Sequence, residues 1–187
     1  MFISAFNALF ADGLVEQVIA IIQNNQAAAI AAYGTTPFGG LDEIGDYHKG
    51  PVAAPNFPCC TVVAGEPVFD PESSTGVRDY VLPVTVFLDL RLTDPDQLAD
   101  WSYKYARVLD QIISTVTSKG DDLTAFSTAQ AITWPPNTAA RLTTPFAAGA
   151  VKNLFIHMHH IGLLPGDESQ IPGHRISIPM EFHLIEQ

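Results

Sequence analysis

Basic residues are scarce in this chain. Lys and Arg number 9 against 20 Asp and Glu, a formal net charge of −11. No basic stripe is present, which excludes tight phosphate binding, and an acidic surface repels a polyanion. Charge of either sign is low, at 16% of residues. Cysteine is nearly absent. The two that occur, Cys59 and Cys60, are neighbours, and adjacent cysteines rarely bridge each other. No disulfide framework is implied, which favours a reducing compartment or simply no need for bridges. No apolar run is long enough to span a bilayer. The opening MFISAFNALFADG is apolar but lacks a basic start and carries Asp12, so it does not read as a signal peptide. The glycine-rich nucleotide loops, the GxSxG elbow and HExxH are all missing, which disfavours an NTPase, a dinucleotide enzyme or a zincin. There is no internal repeat.

What is present is apolar and periodic. Hydrophobic residues make up 47% of 187 residues, enough for the core of one domain spanning 1–187, with apolar surface left over for a partner. From Arg175 to Leu184, Ile176, Ile178, Met180, Phe182 and Leu184 alternate with Arg175, Ser177, Pro179, Glu181 and His183. Val84, Val86, Leu88, Leu90 and Leu92 alternate with Thr85, Phe87, Asp89 and Arg91. Side chains on a strand point to opposite faces in turn, so each stretch predicts a strand with one buried face. The second strand starts at about Arg78, and Pro83 within it predicts a bulge or an edge. A third strand is expected over 151–163, with Leu154, Ile156 and Met158 on one side. The run CCTVVA (59–64) reads as a short buried strand.

Two helices are expected. Leu14, Val15, Val18, Ile19 and Ile22 form a stripe that continues through Ala27–Ala32 and stops at Gly34. Phe2, Phe6, Leu9 and Phe10 also fall at helical spacing, so 1–12 is an interface segment or a helical start. The second helix begins after Asp94-Pro95, a capping residue followed by a proline suited to the first helical position, with Gln97 placed to complete a capping box. Leu98, Trp101, Tyr105, Val108, Leu109, Ile112, Ile113 and Val116 keep helical spacing to about Thr117, and Lys119-Gly120 ends it. Trp101 and Tyr105 lie one turn apart and predict packing on the sheet, while Tyr103, Lys104 and Arg107 point elsewhere. Between these elements, 35–58 reads as a long irregular connection, 66–76 as a link between antiparallel strands, and 121–150 as mixed, with a strand at 129–134. The last two strands read as a hairpin. Together these predict an α+β domain: a mostly antiparallel sheet of about four strands, helices on one face, and long insertions at about 35–56 and 120–150.

Few residues offer chemistry. In the run 157–160, i, i+2 spacing puts His157 and His159 on one strand face, a geometry that can hold zinc or copper, with His183 or Glu181 as a further ligand. Structural sites need four ligands, and no second cluster has motif spacing, so a polar sheet face is the simpler reading and no metal is assigned. Cys59 or Cys60 as nucleophile would need a helix N-terminus or a cationic neighbour. Both sit in an apolar run, where one points inward as a small hydrophobe. The adjacent pairs Asp42-Glu43, Asp121-Asp122 and Asp167-Glu168 fall in loops and read as solvated carboxylates. No catalytic, cofactor-binding or metal-ligating residue is assigned.

The order of elements resembles one family. A helix, a proline-flanked strand (FPCCTVVAGEP), a long strand leading into a capped helix (PVTVFLDLRLTDPDQLADWSYKYARVLDQII) and a closing hairpin are similar to tail-terminator or tail-completion proteins of long-tailed bacteriophages. The likeness covers about 57–118 in pattern, and 14–32 and 151–187 in element order. The segments 35–56 and 120–150 are longer than in the shortest members. The resemblance implies a structural virion protein at the neck or tail end, present in the host cytoplasm during assembly. It would form a homohexameric ring on the last ring of tail-tube protein, end tube polymerisation and join the tail to the head connector. No active site, cofactor or membrane is implied, and DNA would pass through the ring without being held. Two other classes fit the residues less well: a small metal-dependent enzyme using His157 and His159, and a cellular α+β binding module.

Overall fold

A computed structural model describes residues 2–50, 56–69, 78–117, 151–164 and 171–186. The chain is an α+β domain. Helix α1 spans Phe2–Tyr33 and α2 spans Pro95–Thr117. Strands are β1 (Thr35–Thr36), β2 (Gly39–Gly40), β3 (Asp46–Lys49), β4 (Cys59–Ala64), β5 (Val68–Phe69), β6 (Arg78–Arg91), β7 (Val151–Ile156), β8 (His160–Leu163) and β9 (Gly173–Glu186). β1 and β2 form a small hairpin. The other seven form one sheet in the order β3-β4-β6-β9-β7, with β5 also on β6 and β8 also on β9. All neighbours are antiparallel except β3 and β4, which run parallel.

The sheet exceeds the four strands expected, and two prolines explain most of the difference. β4 and β5 lie along the same side of β6, separated by 65–67. β7 and β8 lie along the same side of β9, separated by 157–159. The Pro83 carbonyl accepts from the Gly65 N–H at 2.8 Å, and the Pro179 carbonyl accepts from the His157 N–H at 2.9 Å. In an antiparallel ladder a residue presents its N–H and C=O to the same neighbour. Each proline therefore withholds a donor from the outer strand, and the outer strand breaks there. Pro83 lies in an interior strand, so the edge alternative drops out. Gly65 is required at its break, because a Cβ there would lie 2.9 Å from Pro83 Cγ.

One face of the sheet forms the core. Cys60 and Val62 of β4 stand beside Leu88 and Val86 of β6, which stand beside Ile176 and Ile178 of β9, and all six are fully buried. Leu82, Val84 and Leu90 extend the row, with Met180 and Phe182 opposite the first two. From α2, Leu98, Trp101, Tyr105, Val108, Leu109, Ile112 and Ile113 are buried against it, as the spacing predicts. Asp94 caps this helix through Oδ1, which accepts from the N–H groups of Asp96 (2.9 Å) and Gln97 (3.3 Å). Leu14, Val15, Val18, Ile21 and Ile22 of α1 complete the core. α1 already starts at Phe2, which makes 1–12 a helical start. It ends where the Gly34 N–H donates to the Ile30 carbonyl at 2.7 Å.

The expectation of an irregular connection over 35–58 is corrected. Leu41 and Ile44 are buried in the core. Buried Gln26 on α1 donates from Nε2 to the Ile44 carbonyl (3.2 Å) and accepts the Ile44 N–H at Oε1 (2.7 Å). The Tyr105 hydroxyl donates to the Asp42 carbonyl at 2.6 Å. Helix side chains thus satisfy the backbone that no ladder pairs, and they deliver the chain to β3 at the sheet edge. The expected strand at 129–134, the insertion at 120–150 and the tip of the last hairpin at 165–170 lie outside the described residues.

Candidate functional site

Strand alternation sends a second set of side chains to the face away from the helices. Asp46 and His48 on β3, Cys59 and Thr61 on β4, Phe87 and Asp89 on β6, and Arg175 and Ser177 on β9 occupy register positions that run across the sheet. This face is not a plain solvated one. Cys59, Thr61 and Asp89 are buried.

The strongest contact there is a two-pronged ion pair. Arg175 Nε and Nη2 donate to Asp89 Oδ1 and Oδ2, each at 2.7 Å. The guanidinium also lies over the Phe87 ring, 5.0 Å from its centroid. The carboxylate side chain is only 6% exposed, against 32% for the arginine. The fork geometry satisfies both carboxylate oxygens, which a lysine could not do. The bonds to Asp89 hold the Arg175 guanidinium above its ordinary pKa, against the opposing effect of partial burial. Arg91 lies over Phe57 in the same manner, 4.9 Å from the centroid.

Beside this pair, one ligand atom each of Asp46, His48 and Cys59 lies within 4.8 Å of the others. His48 Nε2 is 3.5 Å from Asp46 Oδ1. Asn56 Nδ2 donates to Asp46 Oδ2 at 3.3 Å, and Thr61 lies two residues along β4 from Cys59 on the same face. Burial raises the pKa of Cys59, with Asp46 and Asp89 adding to the rise and Thr61 and Arg175 opposing it. Cys60 points the other way into the core, where burial raises its thiol further. A thiol so disfavoured as thiolate is a poor nucleophile in the free chain.

The histidines singled out in the sequence diverge. Residues 157–159 form no strand, because they sit at the break imposed by Pro179, so the i, i+2 rule does not apply to them. His157 Nε2 lies 3.1 Å from Glu181 Oε1, and His183 Nε2 lies 3.9 Å from Glu181 Oε2. His159 Nδ1 turns instead to Asp110 Oδ2 on α2. His157 and Glu181 come together, but His159 does not join them. Asp46 and His48 were missed, because their strand is short and lies among prolines and glycines. The signal was the Asp-x-His spacing ahead of Cys59, which puts two ligand types on one face of any strand formed there.

Neither a protein-family model nor a curated protein sequence matches this chain.

Proposed function

We propose that this chain is a structural virion protein, a subunit that assembles with copies of itself into a ring at the head-proximal end of a long bacteriophage tail. In this reading it ends tube polymerisation on the tail-tube protein, offers a docking surface to the head connector and performs no catalysis. One observation carries the assembly part. Both lateral edges of the sheet bear large apolar side chains in solvent. On the β5 side these are Val68, 65% exposed, and Phe69. On the β7–β8 side they are Phe155, Met158 at 90% and Leu163 at 80%. Isolated exposed apolar residues are ordinary, but two opposed edges suit a heterologous contact in which one edge of each copy meets the other edge of the next. Such a contact closes into a ring when its rotation allows it. The phage assignment itself rests on the element order and on the strand–helix pattern of 57–118. The acidic balance suits a channel through which DNA passes unheld.

The test is assembly. The purified chain, alone and mixed with phage tail tubes, is examined by multi-angle light scattering and negative-stain microscopy. Closed rings, on their own or capping the tubes, are expected, with a hexamer as the anticipated size. Leu163→Asp and Phe69→Asp should each leave a folded monomer that forms no ring. A chain that stays monomeric in both mixtures, or rings that persist in both variants, would remove the basis for this reading.

A further inference from the structure

We propose that Asp46, His48 and Cys59 form a binding site for a zinc-class divalent cation at the β3–β4 edge of the sheet. The donor set is a thiol, an imidazole and a carboxylate, the three side-chain types that zinc takes. Their ligand atoms lie within 4.8 Å of one another. A tetrahedral ion with bonds of about 2.0–2.3 Å holds its ligands roughly 3.3–3.7 Å apart, so side-chain shifts of about 1 Å close the site.

Three further observations point to a ligand. His48 Nε2 is sealed from solvent and makes no hydrogen bond, its contact with Asp46 Oδ1 being a long 3.5 Å, a state that coordination would relieve. Asp46 is already oriented from behind by Asn56, as metal ligands usually are. Charge also balances. The Cys59 thiolate and the Asp46 carboxylate neutralise a dication, while Asp89 is fully engaged by Arg175 and does not compete. Binding releases the Cys59 proton to solvent and leaves the fourth position to water. Asp46 and His48 are each about a quarter exposed, which gives the ion a way in. The consequence is mechanical: the ion ties β3, the only parallel strand among the described residues, to β4. The site uses none of the apolar edge residues and stands or falls independently of the ring.

The test uses untagged, metal-free, full-length chain titrated with Co(II) and then Zn(II). One equivalent of Co(II) per chain should produce the thiolate-to-cobalt charge-transfer band in the near ultraviolet, and Zn(II) should displace it. Cys59→Ser should abolish the band, and His48→Gln should weaken binding by at least about tenfold. Cys60→Ser, which alters the core-facing thiol, should leave the band intact. Circular dichroism confirms that each variant is folded, and the partly exposed His48 supplies the decisive variant if Cys59→Ser is not. No band at stoichiometric cobalt, a band that survives Cys59→Ser, or affinity unchanged in His48→Gln would overturn the assignment.

Discussion

Leu90→Asp should prevent the chain from folding. Leu90 is 2% exposed and continues the buried row of β6 towards the helices. Removing its side chain from the core forfeits about 2–3 kcal/mol of apolar burial. The carboxylate that replaces it enters a largely apolar core, where His174, opposite it on β9, is already bonded to buried Ser102 at 2.8 Å. Whether it stays charged or takes up a proton, burying it costs several kcal/mol more. A domain of this kind is stable by about 5–15 kcal/mol in total, so the two losses together leave most molecules unfolded. Two companions make the argument specific. Leu90→Ala keeps the apolar character and should lower stability by about 2–5 kcal/mol while remaining folded. Thr85→Asp, on the same strand but on the opposite, half-buried face, should cost less than about 1 kcal/mol. Urea unfolding followed by far-ultraviolet circular dichroism, with size exclusion to detect aggregation, ranks the three. A cooperative transition for Leu90→Asp within about 1 kcal/mol of the parent would show that this face of β6 is not the core.

Alkaline pH gives a second test. Burial, the main cause, keeps the Cys60 thiol and the Tyr47 and Tyr105 hydroxyls protonated in the folded chain well above their ordinary ranges. The unfolded chain loses these protons from about pH 8.5 for the thiol and about pH 10 for the phenols. Stability is therefore fully present below about pH 8 and falls as pH rises, by up to about 1.4 kcal/mol per pH unit for each group; an unchanged urea midpoint between about pH 8 and 10.5 would contradict it. Gln26→Leu should cost about 2–3 kcal/mol, because it strands the Ile44 N–H and carbonyl that Gln26 now pairs; hydrogen exchange at the Ile44 amide should accelerate with the loss, and unchanged protection there would mean the clamp does not act. The double change His157→Ala with His159→Ala should cost less than about 1 kcal/mol, since both imidazole–carboxylate contacts are substantially exposed; a thermal melt checks this, and collapse of the fold would give the pair a role this geometry does not.

The elements with one periodicity and one clear stop were legible in the sequence. The second helix is found at Pro95–Thr117 with Asp94 capping it, because its apolar spacing, its cap and its opening proline all agree. The strand 59–64 is found as expected, because proline and glycine bracket a short β-branched run. β3 was not legible. Four residues of mixed polarity, paired in parallel with one neighbour, carry no alternation to detect. What fixes them is Gln26 and Tyr105, which hold the preceding turn from two different helices. The polar site shares that cause. Its residues come from strands far apart in sequence, and only the register of Asp46 with Cys59, and of Cys59 with Asp89, brings them together.

Pro83 and Pro179 connect the architecture to the proposed assembly. Each sits in an interior strand and faces outward along the sheet, so each breaks the strand on its own flank and spares the long β6–β9 ribbon between them. Four of the apolar residues left in solvent lie at or beyond those breaks. Val68 and Phe69 follow the gap opposite Pro83, Met158 lies within the gap opposite Pro179, and Leu163 follows it. A continuous flat edge with such side chains would invite unlimited strand addition. An interrupted edge presents only two to six residues of ladder at a time, too little for open-ended pairing yet enough to seat side chains against a shaped neighbour. In the proposed ring, backbone donors removed from the middle of the sheet would favour a closed contact between copies over a growing one.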